Sequence, residues 1–177
     1  LMTQWAIAHA TTQDLTDIVQ AGSDPAQAEL MARIPAIMKE TLLFPYTTGM
    51  TFVQGMQTTD GWAGVDALYD RLPESTEQIL HPEKYEADEK PIDVPLPADL
   101  EARLGTGWTV PLLDTFGEFQ TGIWLREGGV PQADAQAAAA GWGGDRLAVI
   151  DGPDDTWAVA WHTVWDTEAD AEAFEAA

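Results

Sequence analysis

The chain has 177 residues, 45% of them hydrophobic, with eight Trp and no Cys. That is enough to bury a core in one domain, and it excludes a disordered chain, a disulfide framework and any thiolate chemistry. Thirty acidic residues against eight basic ones leave a formal net charge of −22, a field that repels phosphate backbones and so excludes nucleic acid as a partner.

Residues 1–20 read as a helix, with Trp5, Ile7, Ala8, Leu15, Ile18 and Val19 as its apolar set. "AGSDPAQ" (21–27) is a turn in which Ser23 or Asp24 caps the next helix and Pro25 takes its first position. Leu30, Met31, Ile34, Ile37, Met38 and Leu42 continue at helical spacing, and Pro35 divides that run. After "FPYTTG" (44–49), Phe52, Val53 and Met56 lie on a further helical segment. Trp62, Val65, Leu68, Tyr69 and Leu72 form another, which ends at Pro73.

"STEQILHPEKY" (75–85) opens on a capping box, Ser75 with Gln78 three residues on, and Pro82 stops the helix. The three prolines of "EADEKPIDVPLPAD" (86–99) predict an extended linker or edge strand. Thr115 and Glu118 form a second capping box, opening a helix over 114–129 with a Gly-Gly stop. A short Ala-rich helix follows, and the glycine-rich "GWGGDR" (141–146) reads as a tight turn into a strand at Arg146–Ile150. "DGPDD" (151–155) is turn chemistry, and 156–165 alternates with Trp157, Val159, Trp161, Thr163 and Trp165 on one face. Thr167 with Asp170 starts a last helix. Helices first and a hairpin later predict an α+β fold. The expected organisation is a helical region over 1–85, a Pro-rich extended segment over 86–100 and an α+β region over 101–177. The 101–177 region contains a hairpin over 145–165 and is expected to form one compact unit with 1–85.

Glu77 and His81 are four residues apart, which on a helix puts both on one face. A carboxylate one turn before a histidine orients the ring and raises its pKa, as a proton donor or ligand requires. The same placement serves a histidine held at a helix end by the helix dipole. His9, His81 and His162 are far apart, and no HExxH, calcium loop or phosphate loop is present, so the expectation is no metal ligand in this chain. Arg146 is available to pair with a buried acid, and His162, mid-strand opposite the Trp face, reads as a satisfied sheet histidine. The Trp face reads as core, with a carbohydrate platform as the alternative.

Four segments carry a family resemblance: "FPYTTGMTFV", "GWAGVDALYDRLPESTEQILHPEKY", "FGEF" and "GWGGDRLAVI…TWAVAWHTVWDTEADAEAF", together covering most of 44–174. In order and spacing they resemble a family of bacterial and archaeal proteins that look like zinc metallopeptidases. The resemblance implies a secreted or surface location and an upstream HExxH helix that supplies zinc ligands and a general base. That segment is absent here, and both chain ends are expected to be cut, so zinc is expected only with an upstream HExxH. What carries over is His81, with Glu77 behind it, as a group that stabilises a developing oxyanion, and more weakly Arg146 as a substrate contact. The expected function is the cleft-completing C-terminal portion of a zincin-like metallopeptidase. The alternative is a non-catalytic binding, surface or assembly protein on the same scaffold. Possible partners are the missing catalytic segment or a peptide. No stretch approaches the roughly 20 apolar residues of a bilayer span. Acidic excess with only Lys39, Lys84 and Lys90 fits a high-salt environment, where a Debye length of about 3 Å screens self-repulsion.

Overall fold

A computed structural model describes residues 9–11, 13–14 and 25–177. The contacts divide the chain into two units, Leu1–Glu40 and Thr41–Ala177. The predicted caps at Ser23 and Asp24, and nearly all of the predicted helix over 1–20, lie outside the described residues. Helix α1 (Pro25–Ala32) starts on its proline, and the chain breaks before Pro35 into α2 (Ala36–Leu43), which runs across the unit boundary.

The second unit is α+β. After a 3-10 turn at Phe44–Tyr46, α3 (Thr48–Asp70) bends at Gly61, whose φ of 66° an L side chain rarely adopts. That bend separates the two apolar runs recognised on either side of it. Phe52, Met56 and Leu68 of α3 bury against Tyr85, with Ile79 packed beside them. Two one-turn helices follow, α4 (Thr76–Leu80) and α5 (Pro82–Glu86), then α6 (Leu100–Leu104). Ser75 Oγ accepts from Gln78 N at 3.2 Å, and Gln78 Oε1 accepts from Glu74 N at 2.7 Å, so the capping pair satisfies two backbone donors.

The sheet is antiparallel, in the order β1 (Thr109–Asp114), β2 (Trp142–Asp151), β3 (Trp157–Trp165). Strand β1 has no counterpart in the sequence reading, because Pro111 argues against a strand. It is tolerated here because β1 is an edge strand whose register shifts between Thr109 and Leu112. Strand β2 starts at Trp142, four residues before the expected Arg146. Gly143 and Gly144 of "GWGGDR" therefore lie in the strand, and only Gly141 is in the turn before it. Gly144 is needed because the Ile92 carbonyl lies where its side chain would be, and Ile92 N donates to Gly143 O at 2.7 Å. The proline-rich segment thus lies along one face of the sheet.

The opposite face carries Trp161 and Trp165. Their rings pack on Phe174 of α9 (Glu168–Ala176), at centroid distances of 5.8 and 4.5 Å, and Trp161 also meets Trp124 at 5.1 Å and Phe116 at 5.2 Å. Trp157, 72% exposed, is the stripe's free end. Trp161 and Trp165 are thus half-buried against these rings, while Trp157 and Val159 stay exposed, so the stripe is packed at one end only. Helix α7 (Gly117–Glu127) lies against α4 and α8 (Gln132–Ala139), and Ala135 and Ala138 pack on Leu125.

The expected Thr115–Glu118 capping box does not form. Asp145 of β2 caps α7 instead, its carboxylate accepting from Phe116 N at 3.0 Å and Gly117 N at 3.2 Å. It accepts also from Trp161 Nε1 at 2.7 Å, and Asp145 is only 4% exposed. A single buried side chain therefore joins β2, β3 and the start of α7. Asp145→Ala orphans two backbone donors and an indole donor, so we expect a loss of about 3–5 kcal/mol, read as a lower denaturant midpoint. A loss under about 1 kcal/mol would show that water replaces these bonds without cost.

Candidate functional site

The site forms where α4 meets α5. Helix α4 has five residues, and His81 follows it with φ −122° and ψ 82°, so it is the joint between two helices and belongs to neither. Its backbone N–H still closes α4 by donating to Glu77 O at 2.7 Å. Pro82 then begins α5, where its missing N–H costs nothing.

Because His81 has left the helix, the expected one-face relation to the Glu77 side chain is lost. The ring turns to α7, and Nε2 lies 2.8 Å from Glu118 Oε1. The imidazole side chain is 29% exposed, whereas that of Glu118 is 7% exposed. Nδ1 faces the exposed Glu83 at 3.6 Å, beyond hydrogen-bond reach, and is the ring nitrogen left for a ligand. Glu118 takes the role the sequence assigned to Glu77. The "FGEF" segment, which places Glu118 on the first turn of a helix, was its one trace in the sequence, and it read as a cap.

Glu77 is engaged elsewhere. Lys84 Nζ donates to Glu77 Oε1 at 2.6 Å and also contacts Asp166 Oδ2 at 2.5 Å and Glu89 Oε1 at 2.8 Å. Burial works against the Lys84 ammonium, but the bonds to Asp166, Glu77 and Glu89 outweigh it and hold the lysine well above its ordinary value. Glu77 is 1% exposed, and burial pushes its carboxyl upward against the bond from Lys84. These carboxylates are the one group of three metal-competent side chains among the described residues. Their donors are all oxygen, no imidazole joins them and an ammonium already sits among them. That donor set does not fit a catalytic zinc.

Glu118 differs from Glu77 in its partner. Burial raises its carboxyl to about 7, the hydrogen bond from His81 pulling the other way. Its second oxygen, Oε2, is buried with no hydrogen-bond partner among the described residues. A neutral-pH carboxyl paired with a half-exposed imidazole can hold a proton and pass it to or from the ring.

Arg146 lies elsewhere, on β2 opposite His162 in register. No ion pair or hydrogen bond joins its guanidinium to a described residue, so the expected pairing with a buried acid is not formed among them: Asp145, its neighbour in sequence, is filled by three N–H donors. His162 is exposed, its Nδ1 3.4 Å from Pro95 O.

A sequence profile described as Domain of unknown function (DUF8575) matches residues 107–177. The match takes in Glu118, Asp145 and Arg146, while Glu77, His81 and Lys84 lie before it. No curated protein and no solved structure matches the chain.

The Glu118 carboxyl, at about 7 in the fold against an ordinary 4.5, holds its proton more tightly when folded. Its stability contribution is therefore full below the ordinary value and is lost as pH rises towards 7. We expect the wild type to lose, through this group, on the order of a few kcal/mol across that interval, and Glu118→Gln to remove the loss. Denaturant midpoints of both proteins against pH check this. Parallel curves would contradict it.

Proposed function

We propose that this chain is the cleft-completing portion of a salt-adapted, secreted or surface-located zincin-like metallopeptidase, in which His81 faces the substrate and Glu118 holds it. The observation that carries the reading is the 2.8 Å contact between the half-exposed His81 ring and the buried Glu118 carboxyl. A carboxylate behind an imidazole fixes its tautomer and orientation and stabilises the imidazolium form. The outward nitrogen can then donate to an oxygen that gains negative charge. The family resemblance of the Ser-Thr-Glu-Gln-Ile-Leu-His-Pro run supports the same role. The described residues offer no fitting zinc site, so on this reading the metal ligands belong to another segment, and this fold supplies the histidine and its orientation. The net charge of −22 supports the high-salt setting.

A second reading, a non-catalytic binding or assembly protein, draws on Lys84. An ammonium fixed among three carboxylates is a structural device, and His81 with Glu118 also ties α4 to α7.

Peptidase assays on the complete gene product in molar KCl separate the two. His81→Ala should cut kcat by about 100-fold, as removal of an oxyanion donor does, with bound zinc unchanged. No hydrolysis by the wild type, or an unchanged rate in the variant, would favour the binding protein.

A further inference from the structure

Arg146 is exceptional in its unit. Arg71, Lys84, Lys90, Arg103 and Arg126 each pair with a carboxylate, and Arg146, the remaining Lys or Arg of Thr41–Ala177, pairs with none among the described residues. In a chain with 30 acidic residues this is not for want of acids. Arg146 lines two adjoining clefts, of about 460 and 570 Å³, which share Asp93 and Val94.

The smaller cleft has hydrogen-bond donors in excess. Trp142 lines it, is 2% exposed, and its Nε1 has no acceptor among the described residues. The Ser75 and Thr76 hydroxyls also line it. Their oxygens accept from Gln78 N and Phe119 N, and their own hydrogens remain available. The acceptors nearby are largely used: Asp145 takes three N–H donors and Glu74 is bonded to Lys90. Asp93 at the lip is the exception. With the Arg146 guanidinium uncommitted among the described residues, such a wall favours an acceptor from outside.

We propose that this cleft binds a carboxylate carried on an apolar group, with Arg146 as its anchor and Trp142 in its wall. A guanidinium fork matches a planar carboxylate in two parallel bonds. Pro91, Ile92, Val94 and Phe116 supply an apolar wall beside it. The exposed Asp93 and the net charge disfavour a doubly charged anion such as phosphate. The C-terminus of a peptide and a free aliphatic acid share this chemistry. The site stands independently of the peptidase reading, because its test is binding.

The indole N–H signal of Trp142, assigned by its disappearance in Trp142→Phe, is the readout in ¹⁵N NMR spectra of the intact protein. The probes are N-acetyl-Ala-Ala-Leu, its C-terminal amide and isovalerate. Either carboxylate should move the Trp142 signal saturably, and the amide should bind about tenfold more weakly or not at all. The tighter carboxylate tells a peptide terminus from a free acid. Arg146→Gln, with the remaining spectrum unchanged, should abolish the acid's advantage, and Arg146→Lys should recover only part of it. Equal shifts by acid and amide, no shift by any carboxylate, or an unaltered titration in Arg146→Gln would overturn the proposal.

Discussion

A buried carboxylate must find a compensating partner, and the second unit of this protein is arranged around three of them. Glu77, Glu118 and Asp145 are 1%, 5% and 4% exposed in a chain of net charge −22. Leaving any of them ionised and unpaired would cost several kcal/mol, comparable with the whole stability of a small domain. Each is met by a different kind of group: an ammonium for Glu77, an imidazole for Glu118, and three neutral N–H donors for Asp145. Each pairing also crosses between elements. Lys84 reaches from α5 to α4 and to Asp166 just beyond β3, His81 reaches α7, and Asp145 joins the sheet to the start of α7.

The nature of the partner decides what each carboxylate can do. Lys84 gives Glu77 a buried ammonium counter-charge, which works against the upward push of burial on that carboxyl. Asp145 is saturated with donors and serves as a joint. Glu118 alone is met by an imidazole, its carboxyl is pushed up to about 7 by burial, and one of its oxygens has no partner among the described residues. Of the three acids, all buried to a similar degree, only Glu118 has its carboxyl raised to about 7.

The parts of this arrangement that depend on local sequence were legible. The Ser75–Gln78 cap, the Thr167 cap of α9, the "DGPDD" turn and the alternating β3 are all short-range patterns. What failed depended on long-range partners. Spacing placed Glu77 beside His81, but α4 ends at Leu80, and one non-helical residue is enough to turn the ring to another element. The Thr115–Glu118 pattern looked like a cap, yet Asp145, 27 or more positions away, fills that place and frees Glu118 to face inward. Pro111 concealed β1, because only the sheet order shows that its position is an edge with an irregular register. Arg146 was available to pair with a buried acid, and nothing local could show that Asp145 was already saturated.

The claim on which the rest turns is that Glu118 is a carboxyl raised to about 7 by burial, with the hydrogen bond from His81 pulling the other way. The direct measurement is the pH titration of the Glu118 side-chain carboxyl carbon by ¹³C NMR, in the wild type and in His81→Ala. A midpoint near 7 in the wild type, moving higher once the hydrogen bond from His81 is gone, is the predicted result. A wild-type midpoint at the ordinary value of 4.5, or one indifferent to the loss of His81, would contradict it.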